Sequence, residues 1–172
     1  LLGSSTYSAQ LAAQLGMPFS FADFFGNTGD YGPSVTEIYR NEFQPSSSLK
    51  EPKVNVTFQV ICAPTEDEAV LLGASRNLNR VAWFMGMDHG LLPPQEAADF
   101  PLTDEARQHV DSYRRGYRDS TPDKVRDWII DNAKKYQTSD VGVVTNCYSF
   151  QARVRSYQLL AQSFGITPKE TP

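Results

Sequence analysis

The chain has 172 residues, 40% hydrophobic content and a formal net charge of −4 at pH 7, which is typical of a globular protein and excludes a chain that is disordered throughout. Its Lys and Arg residues never form a run longer than two, and no segment approaches the ~20 apolar residues that span a bilayer. We therefore expect a small molecule as partner, and neither nucleic acid nor a membrane.

The amino-terminal part of the chain predicts two strand-and-helix units. A strand stub at residues 1–2 runs into a Gly-Ser-Ser turn, and a helix is predicted over residues 6–15. Gly16 is expected to end this helix, because glycine readily takes the left-handed conformation that follows a helix. A short buried strand at residues 18–22 comes next, followed by a loop rich in Gly and Asn at residues 26–33.

The central part of the chain contains two pairs of residues with the spacing of a capping box. Ser34 and Glu37 predict the start of a second helix, and Thr65 and Glu68 predict the start of a third. Between them, residues 54–63 alternate between two faces as a strand does, and the second of these faces is unusually polar. The strand and its following helix form the clearest unit of the chain.

The carboxyl-terminal part begins with a long segment that lacks a periodic pattern, at residues 85–101, which is typical of a functional lid. A helix is predicted at residues 104–115, and the sequence Thr-Pro-Asp at residues 121–123 starts another, with proline in its first turn. Residues 141–145 predict the last strand, and Ser149 is expected to cap the final helix.

Four alternating units predict an α/β fold with a parallel sheet, and we treat residues 1–172 as a single domain. Four units are half of a (β/α)₈ barrel, whose complete form needs about 250 residues. The chain begins abruptly with an apolar strand end, which fits half a barrel. A doubly wound open sheet can also be built from four units, so periodicity alone leaves both architectures open.

Cys62 and Cys147 are the only cysteines, and each lies within an apolar run. Free cysteine is commonly a core residue, so we expect two buried thiols rather than a disulfide. The chain also lacks a stretch with the three zones of a signal peptide, and a cytoplasmic protein is therefore expected.

Several segments resemble the luciferase-like family of flavin-dependent monooxygenases. The stretch LGSSTYSAQLAAQLGMPFSFA at residues 2–22 is similar to the family's phosphate-loop strand, helix and next strand. YRNEFQPS at residues 39–46 and APTEDEA at residues 63–69 are similar to later segments of the family's sequence. VTN at residues 144–146 and ARVRSYQLLA at residues 152–161 complete a resemblance that covers nearly the whole chain.

The resemblance implies strands five to eight of a luciferase-like barrel, with strands one to four absent. It implies a monooxygenase in which reduced FMN and O₂ oxygenate a small organic substrate, while the protein supplies orientation and a dry cavity. It also implies a homodimer, or pairing with the missing amino-terminal half, and this chain alone is expected to be inactive.

The cofactor-binding residues implied by the resemblance are Gly3, Ser4, Ser5 and Ser8. A phosphate needs fixed donors, and the start of a helix offers free amides at the positive end of its dipole. Ser8 lies one turn into the helix, where its hydroxyl can point back at the same spot. Serine before a helix is often no more than a cap, and it is the resemblance that favours a phosphate site here.

Other polar residues are weaker candidates for function, and no catalytic residue is assigned. Active sites of barrels lie at the carboxyl ends of the strands, which places Ala22, Asp23, Ala63 and Asn146 near the right level. A solvated loop carboxylate is the favoured interpretation of Asp23. Gln59, on the polar face of its strand, could meet a flavin ring or substrate, or could fill the barrel and bond to neighbours.

A metal site is not expected. His89 stands in the long segment and His109 on a predicted helix, and neither has carboxylate or cysteine partners at the spacing of metal ligands. A Gly-x-Ser-x-Gly nucleophile motif is also missing.

Two alternatives stand beside the monooxygenase. In the first, the chain is a non-catalytic flavin-binding or structural half-barrel that needs a partner chain. In the second, the same fold uses a deazaflavin or acts as a flavin reductase. The residues upstream of Leu1 in the full-length protein would discriminate them.

Overall fold

The computed structural model describes residues 1–26, 28–87 and 90–167 of the chain. In chain order the elements are β1 (Leu2–Gly3), α1 (Thr6–Gln14), β2 (Phe19–Asp23), α2 (Gly32–Glu42), β3 (Val54–Cys62), α3 (Glu66–Phe84), α4 (Pro94–Ala98), α5 (Asp104–Arg114), β4 (Tyr117–Ser120), α6 (Pro122–Lys135), β5 (Val141–Val144) and α7 (Phe150–Ser163). The alternation of strands and helices confirms the predicted α/β class.

Strands β1, β2, β3 and β5 are parallel neighbours in this order, and β4 also pairs with β3. Gly3 of β1 lies beside Phe21 of β2, Phe21 lies beside Val56 of β3, and Val56 lies beside Val141 of β5. A doubly wound sheet reverses its strand order at a switch point, whereas a barrel adds each new strand on the same side. The observed order of these strands favours the barrel type over the doubly wound alternative.

The chain divides into two compact units, and the first comprises Leu1–Gln59, Arg115–Tyr117 and Ile129–Val144. Its core is an aromatic cluster on one face of the sheet, which consists of Phe19, Phe21, Tyr39, Phe58 and Tyr136, all at most 1% exposed. The ring centroids of Phe21 and Tyr136 lie 5.5 Å apart, and those of Phe58 and Tyr136 lie 6.0 Å apart. Burial of these large side chains provides the main stabilisation of this unit.

The opposite face of the same strands is polar, as the alternation in β3 predicts. Ser20 donates its hydroxyl to the side-chain oxygen of Asn55 at 2.7 Å, and Thr57 donates to the same oxygen at 3.2 Å. Asn55 in turn donates to a carboxylate oxygen of Asp140 at 2.8 Å. A hydrogen-bonded row of side chains therefore runs from β2 across β3 to Asp140, the residue before β5.

The second unit comprises Val60–Arg114, Arg118–Trp128 and Thr145–Pro172. A small apolar core joins the end of β3 to α3, and its members are Ile61, Ala63, Ala69 and Cys147. The predicted caps of the two long helices are present. Thr65 accepts the amide of Glu68 at 3.2 Å, and Ser149 accepts the amide of Ala152 at 3.0 Å.

Three expectations about the elements need correction. The capping box at Ser34 and Glu37 was wrong, because α2 already begins at Gly32, with Pro33 in its first turn and Tyr31 as its cap residue. A short helix, α4, lies within the segment at residues 85–101, which was predicted to be irregular. Strand β4 was not predicted at all.

Both cysteines are free and buried, as expected. Burial raises the pKa of the Cys62 thiol to about 12 and that of Cys147 to about 11. Within the described ranges, no helix combines the length and apolar character needed to cross a bilayer.

Candidate functional site

The predicted phosphate loop lies at the carboxyl end of β1 and the start of α1. Ser5 is the cap residue of α1, with an extended backbone, and the first turn of this helix contains no acidic residue. Thr6 and Tyr7 are the first two residues of α1, where the amides have no carbonyl four residues back within the helix. The start of α1 therefore offers amide donors at the positive end of the helix dipole.

Ser5 and Ser8 form a reciprocal capping box. The Ser8 amide donates to Ser5 Oγ at 3.3 Å, and the Ser5 amide donates to Ser8 Oγ at 3.3 Å. Ser8 Oγ also donates to the carbonyl oxygen of Ser5 at 2.7 Å. The Ser8 hydroxyl thus points back at the cap residue, one turn earlier in the chain.

The two hydroxyls differ in what they can still offer to an anion. Ser8 Oγ donates its single proton to the Ser5 carbonyl at 2.7 Å, so Ser5 Oγ is the donor in the longer contact of 3.3 Å between the two hydroxyls. The Ser5 hydroxyl, which also accepts the Ser8 amide, can exchange this long contact for a bond to an anion. Ser5 is also exposed, while Ser8 is half-buried. Ser5 is the better placed of the two to donate to a phosphate oxygen.

Gly3 is required by the close approach of Ser8. A Cβ atom at this position would lie 2.2 Å from Ser8 Oγ and 2.4 Å from Ser8 Cβ. Glycine therefore leaves the space in which the Ser8 side chain turns back. Ser4, between Gly3 and the cap residue, is half-buried.

Asp23, at the carboxyl end of β2, is not the solvated loop carboxylate that was favoured from sequence. It is the last residue of the strand and is only 6% exposed. Its Oδ1 accepts the hydroxyl of Thr28 at 2.6 Å, and its Oδ2 accepts the hydroxyl of Tyr136 at 2.8 Å. Asp23 lies on the same face of β2 as Phe21, so it faces the aromatic cluster.

Burial governs the acidity of this network. Desolvation raises the pKa of the Asp23 carboxyl, while the hydroxyls of Thr28 and Tyr136 oppose the rise because their hydrogen bonds favour the charged form. Burial and the neighbouring carboxylate also raise the pKa of the Tyr136 hydroxyl. Tyr136 therefore acts as a permanent hydrogen-bond donor to Asp23.

Sequence analysis missed Thr28 and Tyr136 as partners of Asp23. Thr28 is five residues away, in a loop rich in Gly and Asn, and Tyr136 is 113 residues away. The acid directly after a buried strand was the only signal in the sequence, and it carried no information about its partners.

The other candidates at the strand ends are less informative. Gln59 is 2% exposed and lies on the polar face of β3, beside Val144 of β5. Ala22 in the first unit and Ala63 in the second are both 2% exposed, and Asn146 in the second unit is exposed. The roles of these residues stay predictions.

The two histidines do not assemble a metal site in the part of the chain that the structure covers. His109 is exposed on α5, and His89 lies outside the described residues. Among the described side chains, no group of three or more His, Cys, Asp or Glu residues is placed to hold a metal ion.

The second unit contains a buried ion pair that sequence analysis did not identify. Arg76 of α3 contacts Asp119 of β4 through two hydrogen bonds of 3.0 Å and 2.6 Å, and the two side chains are 5% and 8% exposed. Gly73 makes room for it, because a Cβ there would lie 2.4 Å from the Asp119 carboxylate. This pair fastens β4 to α3.

Comparison with known proteins finds similarity to luciferase-like monooxygenases. No family model matches it. A protein of Escherichia coli strain K12 named luciferase-like monooxygenase is 31% identical over 159 residues, which are 92% of this chain and 47% of the relative. The crystal structure of apo-MsnO8 matches with a TM-score of 0.86 and 32% identity, over 98% of this chain and 51% of that one.

A more distant structure shares the fold. The oxygenating constituent of 3,6-diketocamphane monooxygenase from Pseudomonas putida, solved in complex with FMN, matches with a TM-score of 0.56 and 18% identity over 98% of this chain and 48% of that one. The chain spans about half the length of the curated relatives it matches. With its parallel α/β fold, the chain is thus similar over 92% of its length to about half of a luciferase-like monooxygenase.

Proposed function

We propose that the protein is an FMN-dependent monooxygenase and that the loop formed by Gly3, Ser4, Ser5 and Ser8 binds the FMN phosphate. The observation that carries the proposal is the geometry at the start of α1. An exposed cap hydroxyl, whose proton has only the 3.3 Å contact with Ser8 Oγ to give up, lies beside first-turn amides in a helix start that lacks acidic residues. A phosphate with about two negative charges is stabilised by such donors and by the helix dipole.

The cofactor fits the residues at this position. Gly3 lacks the side chain that would fill the space beside Ser8, and the exposure of Ser5 leaves an anion room to approach. Bound flavin would supply the oxygen chemistry, while the protein would hold the cofactor and keep water away. In this proposal the substrate is a small organic molecule, reduced FMN and O₂ are co-substrates, and the protein works as a homodimer or through pairing with the other half of the barrel.

The proposal is tested with the full-length protein by following flavin fluorescence during titration with FMN and with riboflavin, which has the same ring system and no phosphate. The wild type should bind FMN at least about tenfold more tightly than riboflavin, because a charged hydrogen bond contributes about 1.5–3 kcal/mol. Ser5→Ala should remove much of this preference and leave riboflavin affinity unchanged.

Ser8→Ala should weaken FMN binding less than Ser5→Ala, because its hydroxyl acts through the cap rather than as a free donor. Ser34→Ala, at an exposed serine of α2, is the matched control and should bind as the wild type does. Equal affinity of the wild type for the two flavins, or unchanged FMN affinity in both loop variants, would remove the assignment.

A further inference from the structure

The carboxylate of Asp23 holds the segment that follows β2. We call residues 24–31 the β2–α2 loop; Asn27 within it lies outside the described residues. Thr28 donates its hydroxyl to Asp23 Oδ1 at 2.6 Å, and its carbonyl oxygen accepts the amides of Tyr31 at 3.3 Å and Gly32 at 2.8 Å. The single bond from Thr28 to Asp23 thus fixes the point at which the loop turns into α2.

A second contact holds the other part of the loop. The carbonyl oxygen of Phe25 accepts the hydroxyl of Tyr117 at 3.3 Å. The backbones of Gly26 and Gly116 pack so closely that a Cβ at Gly116 would lie 2.4 Å from the Gly26 oxygen. At the start of the loop, the rings of Phe24 and Phe25 pack with their centroids 4.7 Å apart.

The position of the loop gives this anchoring a function. In barrel enzymes, ligands bind at the carboxyl ends of the strands, and the loop begins at that end of β2. Phe25 is 36% exposed there, so an apolar surface lies at the carboxyl end of β2.

We propose that Asp23 is a positioning residue, which holds the β2–α2 loop through Thr28. By holding the loop, it sets the positions of Phe24 and Phe25 beside the substrate site. The relation of the loop to a substrate rests on the proposed function, whereas the anchoring does not. Asp23 touches neither substrate nor cofactor in this arrangement, because its carboxylate faces Tyr136 and the aromatic cluster.

The two bonds of Asp23 allow a crossed test. The bond to Thr28 holds the loop, whereas the bond to Tyr136 joins β2 to the residue after α6. Thr28→Val and Tyr136→Phe each remove one hydroxyl and leave a buried carboxylate oxygen without that partner. A general structural role for Asp23 predicts that both changes act alike, whereas a positioning role predicts that only Thr28→Val releases the loop.

The experiment is limited proteolysis of the full-length protein with chymotrypsin under native conditions, with cleavage after Phe24 and Phe25 followed by mass spectrometry. Cleavage of a transiently opened segment reports the population of its open form. Thr28→Val should raise the cleavage rate at these two sites by about tenfold, the effect expected for one lost buried hydrogen bond. Cleavage at the exposed Tyr148 and Phe150 of the second unit should stay at the wild-type rate.

Tyr136→Phe should lower the urea midpoint and leave the loop cleavage unchanged. Thr36→Val is the matched control for the threonine change, because Thr36 is also buried and its hydroxyl donates to the Pro33 carbonyl at 2.8 Å. Like Tyr136→Phe, Thr36→Val should lower the urea midpoint and leave cleavage after Phe24 and Phe25 unchanged. Equal acceleration of loop cleavage in all three variants, or none in Thr28→Val, overturns the proposal.

FMN titration of the same proteins separates this inference from the proposed function. Thr28→Val should bind FMN within about twofold of the wild type, because the phosphate loop belongs to β1 and α1 rather than to the β2–α2 loop. A wild type that does not bind FMN would refute the proposed function and leave the proteolysis result intact. A loss of FMN affinity in Thr28→Val that matches its loop opening would refute the separate roles of the two loops.

Discussion

Replacing Gly3 by alanine is the most direct test of how the phosphate loop is built. The added Cβ would lie 2.2 Å from Ser8 Oγ and 2.4 Å from Ser8 Cβ, distances that real Cβ atoms essentially never show. Ser8 therefore has to move. Its movement breaks the 2.7 Å bond to the Ser5 carbonyl and the 3.3 Å bond from the Ser5 amide.

Two separate energetic costs add up in Gly3→Ala. Loss of the cap interactions costs about 1 kcal/mol, and forcing an extra carbon into a packed position costs about 1–3 kcal/mol. The free energy of unfolding of Gly3→Ala should therefore fall by about 2–4 kcal/mol. FMN affinity should fall by about tenfold, because a displaced cap no longer holds the Ser5 hydroxyl and the first-turn amides in place.

Urea unfolding and FMN titration of the full-length protein measure the two effects. The double variant Gly3→Ala/Ser8→Gly removes both atoms that the new Cβ would meet, so it should regain most of the packing energy without regaining the cap. Its FMN affinity should remain below that of the wild type. If Gly3→Ala alone had wild-type stability and wild-type FMN affinity, the described arrangement of Gly3 and Ser8 would be wrong.

Three further predictions follow from buried polar groups. Asp119→Ala should lower the free energy of unfolding by about 3–5 kcal/mol in urea, since it leaves the Arg76 charge buried without its partner, whereas an Arg76→Met/Asp119→Leu double variant should recover most of the loss. Burial raises the pKa of the Asp23 carboxyl above 3.8, so the unfolded chain releases this proton at a lower pH than the folded protein does. The free energy of unfolding of the wild type, compared with that of Asp23→Asn, should therefore fall as the pH rises from 3.8 through the folded-state pKa. A rise of this difference over the same pH range would contradict the direction of the shift. Cys62 and Cys147, with pKa values of about 12 and 11, should resist alkylation at pH 8 in the folded protein and react fully in denaturant.

The fold was largely predictable because local signals and the hydrophobic pattern agree. Gly16 has the positive φ of +59° expected of a residue that ends a helix, and the hydroxyls of Thr65 and Ser149 accept amides at the starts of α3 and α7. Where local signals compete, the prediction failed. Ser34 looked like a cap, but Pro33 before it suits a first turn, and the helix begins earlier.

Strand β4 could not be predicted, for a different reason. It is four residues long, and its sequence Tyr-Arg-Asp-Ser shows no apolar alternation. Its position depends on tertiary partners, since Asp119 pairs with Arg76, and the carbonyl oxygen of Ser120 accepts the amide of Ala63 at 3.2 Å. Neither partner is a neighbour in sequence, so no local pattern identifies this strand.

The candidate site also has a part that the local sequence predicts and a part that depends on distant residues. The helix start at Ser5 could be predicted because its parts are contiguous, and a glycine, three serines and the first turn of α1 lie within residues 3–8. Phosphate binding at this position stays a prediction. The Asp23 network could not be predicted, because Tyr136 comes from the far end of the chain and is brought to β2 by the packing of aromatic rings. Sequence alone therefore favoured a solvated carboxylate where the fold provides two hydroxyl donors.

The register of the first two strands links the phosphate loop to the β2–α2 loop. Gly3 lies beside Phe21, so Ser5 and Asp23 each come two residues after a paired position and lie at the same end of adjacent parallel strands. An anion bound at the start of α1 would therefore lie at the same end of the sheet as the beginning of the β2–α2 loop. The two loops are nevertheless built independently, because one is held by a capping box within six residues and the other by bonds to Asp23 and Tyr117. Under the proposed function, substitutions in the β2–α2 loop should therefore change the substrate site and leave FMN affinity unchanged.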